Sequence, residues 1–401
     1  MFLRYRILAT VVCFGIAAGV AACVGSSAAT AAGRTFYVSA SGSDRHSGTD
    51  PASAWRTISR VDEARLQPGD RVLFHGGDRF GGATLIPRQS GTAGAPITFG
   101  SYGGGHAHLT NGGDVWIAPG GHDMVFVGLD FSGPDTLFAS AATGPGTYNI
   151  TIKRCSFHDT PNIGLSIATH ADHDWTITHS SFRHIGDSGL IIWGANVSVT
   201  RSSIIDTGWN SAVTYGKHGI YLKGRHALIA HNYIAGFQAD GVSLRSDNAL
   251  VTNNTIRGGS IGIAYYDDDD RSGTTQVQNN AISRVQTGFY FSDESDTATG
   301  GPPIENFLIR HNVFQSSGRT AIDITGARYS RLELAQNILR GPFLVAVAAN
   351  TPTNNGRYLE AKNFIYGSGI FMWNSTTMPY RDYRASTGLG IGDHIRPLSS
   401  S

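Results

Sequence analysis

The sequence predicts an all-β fold, a single-stranded parallel β-helix in which each coil of a solenoid is built from short strands. Between about Thr147 and Trp373 one pattern repeats roughly ten times: strand, Asn or Ser at a turn, strand, Gly, strand. The turn asparagines recur at intervals of roughly 22 to 32 residues, the spacing expected of solenoid coils. They are Asn232, Asn254, Asn280, Asn312, Asn337 and Asn363. Because successive coils stack about 4.8 Å apart, equivalent residues are expected to form columns on one outer wall.

Residues 1–32 predict an export signal. Arg4 and Arg6 form its charged region, and the apolar run Ile7–Ala22 is too short for a comfortable membrane span. Two endings are open: Val20–Cys23 resembles a bacterial lipobox that would leave a lipid-anchored Cys23, whereas Ala29–Ala31 offers a cleavage site. We therefore expect a secreted, extracellular protein, or one lipid-anchored at the outer face of the bacterial cell envelope, with no transmembrane span in the mature form.

The next segment departs from the repeat and predicts an N-terminal helical cap with the first coils over residues 33–114. Within it, Trp55–Leu66 has helical periodicity, with Trp55, Ile58, Val61 and Leu66 roughly on one face. A cap of this kind covers the unpaired strand edges that a solenoid exposes at its end. We predict the parallel β-helix core over residues 115–377 and a C-terminal cap or tail over residues 378–401.

Composition narrows the class of partner. Charged residues make up only 15% of the chain and the formal net charge is +1. This balance argues against nucleic acid, whose partners are strongly basic. It still permits an anionic polymer, because a local basic stripe is offset by acidic residues elsewhere. We expect a monomer that binds an anionic polysaccharide.

The N-terminal passage also carries a resemblance. The stretches FYVSASGSD, PASAWRTI, PGDRVLFHGG and GTAGAPITFGSYGGG look like those of secreted β-helix proteins of the pectate-lyase superfamily. Together with the repeat, the resemblance covers nearly the whole chain after the export signal. It implies a right-handed coil, and a fold that carries lyases, hydrolases, epimerases and adhesins.

The Gly of each coil gives a reference for the direction of side chains, because alternate residues of a strand face opposite sides. The first and third residues after it are apolar and are expected in the core: Ile220 and Leu222, Val242 and Leu244, Ile263 and Tyr265, Phe289 and Phe291, Ile322 and Ile324. The second and fourth residues then face outward. The second-position column is Ile191, Tyr221, Ser243, Ala264, Tyr290 and Asp323, and the fourth is Trp193, Lys223, Arg245, Tyr266, Ser292 and Thr325. Lys223 is thus expected to stack against Arg245, and two adjacent cations imply an anionic group nearby.

This wall suits β-elimination of a uronic-acid polymer. The reaction needs a cation for the C5 carboxylate, a base for the C5 proton and an acid for the leaving O4. An adjacent arginine favours the neutral form of a lysine, which makes Lys223 a candidate base. Arg245 would neutralise the carboxylate or protonate O4, with Tyr221 and Tyr266 assisting. Trp193 and Tyr290 offer faces on which sugar rings stack.

A second resemblance concerns the stretch YLKGRHALIAHNYIAGFQADGVSLRSDNALVTNN, which is similar to the active-site segment of the chondroitinase B and alginate lyase family. In that family a lysine followed by a small residue, one coil before a Leu-Arg, supplies base and acid. Lys223-Gly224 and Leu244-Arg245 match these positions. The family also places calcium-binding acidic residues shortly before the lysine, where this chain has Gly216-Lys217-His218-Gly219. The resemblance therefore implies that His218 takes over part of that role. Lys217, next to it in the sequence, is a further candidate for substrate binding.

An acidic cluster forms a second candidate site. Asp267–Asp270 follow the wall position of Tyr266, and further carboxylates begin at Asp293 one coil later. Clustered hard oxygen ligands favour Ca²⁺, so Asp267, Asp268 and Asp293 are the expected metal ligands. The same acids support a rival hypothesis, an inverting glycoside hydrolase whose outer-wall aspartates would be Asp240, Asp267 and Asp293.

The sequence thus favours an exported lyase acting on a uronic-acid-containing glycan, with three alternatives left open. A glycoside hydrolase would use the aspartates. A uronan C5-epimerase would share the lyase wall, because it also removes the C5 proton. A non-catalytic glycan-binding or adhesin-like solenoid would use the wall for binding alone.

Overall fold

A computed structural model describes residues 33–214, 216–267, 273–293, 304–315, 318–326, 329–350, 356–367 and 369–396. From Gly33 onward the chain forms one compact unit. The described residues form a solenoid of parallel strands in which each complete coil passes through three faces. The predicted export signal, residues 1–32, lies outside the described residues.

Face 1 is a sheet of thirteen strands within the described part of the chain. Its strands are Thr35–Val38, Arg71–His75, Ile97–Tyr102, His122–Val127, Tyr148–Lys153, His173–Thr178, Ser198–Thr200, Leu228–Ala230, Leu250–Thr252, Thr274–Gln278, Ile304–Arg310, Tyr329–Ala335 and Arg357–Ala361. Each strand pairs in parallel with its counterpart in the coil before and the coil after it.

Face 2 follows the asparagine turn. Its strands are Arg79–Phe80, Ala107–Thr110, Leu129–Ser132, Ser156–Thr160, Ser181–Ile185, Ser203–Thr207, Tyr233–Phe237, Val313–Gln315, Ile338–Arg340, Phe364–Tyr366 and His394–Arg396. Two long strands, Thr255–Asp267 and Ala281–Asp293, supply the remaining coils and continue without a break into face 3. Faces 2 and 3 are therefore joined into one sheet at these coils.

Face 3 carries the predicted wall. Its strands are Val115–Ile117, Phe138–Ser140, Leu165–Ile167, Leu190–Ile192, Ile220–Leu222, Asp240–Leu244, Thr320–Gly326, Val345–Ala349 and Ile370–Trp373, besides the second halves of the two long strands. The last strand is followed by an antiparallel partner, Thr376–Pro379. All other pairings on this face between described strands are parallel.

The turn between face 1 and face 2 is held by a buried ladder of side-chain amides. The Asn254 side-chain oxygen accepts from the backbone N–H of Asn232 at 2.9 Å and from its side-chain amide at 3.0 Å. The same pair of bonds links each later asparagine to the next, as far as Asn363. In earlier coils the ladder continues through Ser202 and Ser180. The predicted turn repeat is confirmed, and its buried amides are satisfied by neighbouring coils.

The predicted core positions are also confirmed. All ten apolar residues expected to face inward on face 3 are at most 1% exposed. Phe131, Phe157 and Phe182 stack along face 2 with ring centroids 4.9 and 4.7 Å apart. The strand alternation read from the sequence therefore places the core correctly, and leaves the opposite side of each strand on the surface.

The predicted helix near the N-terminus is shorter than its periodicity suggested. The structure has a 3₁₀ turn at Pro51–Ser53 and an α-helix only at Ile58–Asp62. Trp55 instead forms a parallel bridge with Val38 and stacks on Phe36 at 4.7 Å. The predicted apolar face is confirmed, because Trp55, Ile58, Val61 and Leu66 are all buried. Only the middle of this segment is helical. That this segment caps the solenoid stays a prediction.

At the other end, the helix Tyr380–Thr387 ends at Gly388, whose φ of 71° is left-handed. Its Tyr383 is fully buried and stacks on Phe371 at 4.7 Å. Among the described residues, no helix is long and apolar enough to cross a membrane.

Candidate functional site

The candidate site lies on the outer side of face 3 and at the bend that follows it. Backbone register pairs Ile191 with Tyr221, Tyr221 with Ser243, Ser243 with Ala264, Ala264 with Tyr290, and Tyr290 with Asp323. This is the second-position column that the alternation predicted. Tyr221 and Tyr290 are half-buried, as expected for rings that lie flat on a wall.

The fourth-position column needs one correction. Leu222 pairs with Leu244 and Leu244 with Tyr265, so the residues that follow them, Lys223, Arg245 and Tyr266, lie on adjacent coils. Further along, Ser292 pairs with Gly326 and not with Thr325, because the register shifts by one residue after Tyr290. Such a bulge inserts one residue into a strand, and a count along the sequence does not detect it.

Aromatic rings hold the two cations. The Lys223 ammonium lies 4.9 Å from the centre of the Trp193 ring. The Arg245 guanidinium lies 4.8 Å from the Tyr221 ring and 4.3 Å from the Tyr266 ring. Each such contact is worth about 0.5 to 2 kcal/mol, and more when water is excluded. The rings therefore offset part of the repulsion between two positive charges on neighbouring coils.

Arg245 is the more enclosed of the two cations. It is 9% exposed, and its Nη1 donates to the Ser243 hydroxyl at 2.7 Å. Ser243 is fully buried and belongs to the second-position column, but sequence reasoning gave it no role. A planar guanidinium between two rings has few alternative rotamers, so its position in the wall is well defined.

His218 and Asp240 form a buried pair beneath this wall. His218 Nδ1 lies 3.2 Å from Asp240 Oδ2, and the two residues are 8% and 2% exposed. The same nitrogen lies 3.3 Å from the backbone N–H of Asp240, so the carboxylate and the N–H compete for it. Among the residues that the structure describes, Asp240 Oδ2 accepts no hydrogen bond. The Asp240 backbone N–H donates to His218 Nδ1, so the imidazole and the carboxylate are held side by side in the interior.

This pairing corrects one prediction. Asp240 was expected on the outer wall as a hydrolase carboxylate, but it lies in the column before the reference Gly and is buried. His218 occupies the same column one coil earlier, with its ring 5.7 Å from Tyr221. His218 therefore lies next to the wall at the Tyr221 ring.

The predicted substrate-binding residues divide into two groups. Trp193 and Tyr290 belong to the wall, since Tyr290 meets Tyr266 edge to face at 5.8 Å. Lys217 lies at the bend before Gly219 with a left-handed φ of 67°, and its backbone N–H donates to Asp187 at 3.1 Å. Its Cβ lies beside Gly208, at the bend that precedes the wall strand Ile220–Leu222.

Two further residues of the wall were not singled out from the sequence. His170 contacts the Trp193 ring edge to face at 5.1 Å, and its Nδ1 lies 3.0 Å from the Trp193 carbonyl. Asp323 is half-buried beside Tyr290, and burial raises the pKa of its carboxyl despite the Thr325 hydroxyl that donates to it at 2.7 Å. Its membership of the second-position column was the signal that pointed to it.

The acidic cluster is only partly described. Asp267 and Asp293 pair in register at the ends of the two long strands, and their side chains are not described. Asp268 lies outside the described residues. Within the described part of the chain, no group of three or more His, Cys, Asp or Glu side chains is arranged to hold a metal ion. A calcium site at Asp267, Asp268 and Asp293 stays a prediction.

Comparison with known proteins gives one family model and one relative in sequence. The model described as right handed beta helix region matches residues 188–378. A lacto-N-biosidase of Bifidobacterium longum subsp. longum is 40% identical over 78 residues, which are 18% of this chain. The matched stretch spans only 5% of the length of that protein.

Solved structures with the same architecture include enzymes of two kinds. A mannuronic acid specific polysaccharide family 6 lyase from human gut microbiota has a TM-score of 0.57 at 13% identity, with 92% of each chain covered. The GH136 lacto-N-biosidase from Eubacterium ramulus has a TM-score of 0.54 at 16% identity, covering 84% of this chain and 68% of that chain. At such identities the likeness shows the fold alone. The chain is a right-handed parallel β-helix, as the sequence predicted.

Proposed function

We propose that this chain is an exported polysaccharide lyase that cleaves a uronic-acid-containing glycan by β-elimination. One observation carries the proposal: Lys223 and Arg245 stand on adjacent coils of one outer wall, each against an aromatic ring. A cation pair of this kind on a surface lined with rings fits an anionic sugar polymer better than a neutral one. The likeness in fold to a mannuronic acid specific lyase is consistent with this proposal, since it shows that the same fold can carry such an activity.

The roles follow from the chemistry of the elimination. Arg245 binds the C5 carboxylate and stabilises the negative charge that develops on it. Lys223 in its neutral form takes the C5 proton, and the electron pair of that C–H bond forms the C4–C5 double bond. The C4–O4 bond breaks, and O4 receives a proton from the Tyr221 or Tyr266 hydroxyl. The products are an unsaturated uronate and a new free hydroxyl.

The surrounding residues position these groups. His218 packs beside Tyr221, with ring centroids 5.7 Å apart, and holds that ring in place. After turnover, Lys223 releases the proton taken from C5 to solvent and the tyrosine regains one from solvent. Trp193 and Tyr290 bind sugar faces on either side of the cations. We further propose that the Asp267, Asp268 and Asp293 carboxylates would hold Ca²⁺, which would supply positive charge for a substrate carboxylate. The anchored or secreted location predicted by residues 1–32 would bring the monomeric protein to such a polymer.

A glycoside hydrolase is the second candidate. It is favoured by the 40% identity over 78 residues to a lacto-N-biosidase, and by a carboxyl on the wall whose pKa is raised, Asp323. A carboxyl that holds its proton serves as the general acid of a hydrolase, and Asp267 or Asp293 would then be the base.

Ultraviolet absorbance separates these candidates. The mature protein is incubated with alginate, pectate, chondroitin, hyaluronan and heparan, each with and without Ca²⁺. A lyase raises the absorbance as the unsaturated uronate forms, and Lys223→Ala lowers the rate about 10²- to 10⁴-fold. Lys153→Ala is the matched control, because this exposed lysine ends a face 1 strand away from the wall.

Other outcomes point elsewhere. New reducing ends without a rise in absorbance, lost in Asp323→Asn and retained in Lys223→Ala, would establish the hydrolase. Inversion at C5 without chain cleavage would establish the epimerase. Binding that Lys223→Ala only weakens, with no chemical change in any polymer, would favour the adhesin-like solenoid.

A further inference from the structure

A second basic surface lies at the turn between face 1 and face 2. Here a groove of about 640 Å³ runs along several coils. It is lined by His106, Arg154, Cys155, Ser156, His179, Ser180, Ser181, Arg201, Ser202, Ser203, His231 and Tyr233. Because each coil runs from face 1 through this turn to face 2 and then to face 3, the groove lies across the solenoid from the wall on face 3.

The groove is positively charged. Its ionisable side chains other than Cys155 and Tyr233 are two arginines, Arg154 and Arg201, and three histidines, and its lining contains no carboxylate. Neither arginine forms an ion pair with any residue that the structure describes. In a protein of net charge +1, two arginines that lie two coils apart without acidic partners among the described residues favour an anionic ligand.

The backbone at the basic positions is unusual for these residue types. Arg154, His179, Arg201 and His231 each precede the buried turn ladder and have left-handed φ values of 51°, 52°, 50° and 59°. This conformation is costly for residues other than Gly, Asn or Asp. Asn253 and Asn279 fill the same position in later coils, at φ of 56° and 57°. Coils beyond the groove carry His311, Gln336 and Lys362 at this position, with φ of 56°, 58° and 58°, so the left-handed conformation belongs to the turn itself. What distinguishes the groove coils is that two of them place an arginine there.

We propose that this groove is a second binding site for an anionic polysaccharide, distinct from the wall on face 3. The basic side chains repeat with the coil spacing of about 4.8 Å, so Arg154 and His231 are about 14 Å apart along the axis. This repeat is comparable to the length of one pyranose unit, so successive coils meet successive sugars of an extended chain. The arginines and histidines bind the acidic groups, and the Ser156, Ser181 and Ser203 hydroxyls bind sugar hydroxyls.

Tyr233 closes the groove at one end with a ring on which a sugar can stack. It is 38% exposed, so one face of the ring is open to a ligand. The coil that contains Arg201 continues to Lys223, and the coil that contains His231 continues to Arg245. One set of coils therefore presents a binding groove on one side and the candidate catalytic wall on the other, and the groove retains the polymer near the wall.

The test uses the full chain carrying Lys223→Ala and Arg245→Ala, so that the wall no longer contributes its cations. Binding to alginate and to heparan is measured by titration calorimetry at low and at high salt. We expect this double variant, the parent of the variants below, to bind these polymers at low salt. Adding Arg154→Asn and Arg201→Asn should weaken binding about fivefold to tenfold, because two exposed charge contacts are lost. Asparagine is chosen because it tolerates the left-handed backbone at this turn.

Lys362→Asn in the same parent is the matched control. Lys362 occupies the same turn position in a distant coil, is exposed, and has a φ of 58°. It should leave the affinity unchanged. The inference is overturned if the parent does not bind, if the arginine changes leave the affinity as it was, or if the control weakens binding equally. A wild-type protein that cleaves no polymer but loses affinity with the arginine changes would reject the proposed lyase and keep the groove.

Discussion

At the residue scale, Arg245 shows how a surface charge becomes a defined functional group. An arginine on an outer wall is ordinarily mobile and well hydrated. Here two tyrosine rings and the Ser243 hydroxyl hold the guanidinium, and only 9% of the residue is exposed. Because the group is fixed and partly desolvated, its attraction for a carboxylate is stronger than in water. The arrangement needs both the charge and the planar shape of the side chain.

This dependence on shape predicts the effect of Arg245→Lys. The change keeps the positive charge and loses both the planar contact with the rings and the forked hydrogen-bonding geometry. We expect kcat/KM on the polymer that the protein cleaves to fall about 10²-fold, as when one stabilising donor is removed from an active site. Initial rates followed by absorbance measure this.

Arg225→Lys is the matched control. The Arg225 side chain is 64% exposed, and its Nε lies 3.6 Å from Asp247 Oδ1, an ion pair that a lysine can also form. This variant should leave the rate unchanged. Full activity in Arg245→Lys would mean that charge alone is needed, and would remove the role assigned to the tyrosine rings.

At the scale of elements, buried polar groups are concentrated in the turn between face 1 and face 2 and near the C-terminal end of the solenoid. The asparagine ladder is satisfied along its length and passes at Asn363 to the Asp393 carboxylate, which accepts from the Asn363 backbone at 2.6 Å. Close to this point the strand Arg357–Ala361 carries Glu360, which is 3% exposed. The Tyr358 and Tyr383 hydroxyls donate to it at 3.0 and 2.7 Å. Glu360 thereby ties the C-terminal helix Tyr380–Thr387 to the last complete coil.

The ionisation of Glu360 predicts a pH dependence of stability. Burial first, and then the negative charge of Asp393, raise the pKa of Glu360 to about 8 from an ordinary value of 4.5. The folded protein therefore binds this proton more tightly than the unfolded chain. The stability it contributes is complete below about pH 4.5 and is lost as the pH rises through about 8. Burial raises the pKa of Asp393 as well, which acts in the same direction.

Thermal unfolding between pH 5 and 9 tests this linkage. The wild-type Tm should fall across this range, whereas Glu360→Gln, which keeps an acceptor for the tyrosine hydroxyls and cannot ionise, should show a flatter profile. Glu63→Gln, at an exposed position after the helix Ile58–Asp62, should follow the wild type. A Glu360→Gln profile as steep as the wild type would assign the pH dependence to other groups.

At the scale of the whole molecule, a solenoid is stabilised coil by coil and its ends are its weak points. The last coil is covered by the hairpin strand Thr376–Pro379 and the helix Tyr380–Thr387. Phe371 is fully buried in this region beneath Tyr383. Without these elements the apolar ring and the free strand edges would face water, a surface that templates association with other chains.

A chain ending at Ser375 tests this role. We expect a lower Tm than for the full chain, and larger species than the full chain forms, measured by size-exclusion chromatography with light scattering. Ile391→Ser in the full chain is the control, because Ile391 is 64% exposed in the same segment and its loss uncovers no core. A monomeric truncated chain with unchanged Tm would show that the C-terminal elements do not protect the end of the solenoid.

The sequence by itself determined the coil, its turn ladder, its core and the columns of the wall. These follow from a period of two within each strand and from turn residues that each coil repeats, and both are local properties of the chain. The alternation of side chains in the sequence also predicted that Lys223, Arg245, Tyr221 and Tyr266 lie together on the wall. Only the tertiary structure decided the rest: the bulge after Tyr290, the burial of Asp240 against His218, and the basic groove at Arg154 and Arg201. These features depend on how coils of unequal length align and on which side chains lie at the same turn. The alternation of inward and outward residues within a single strand predicts neither.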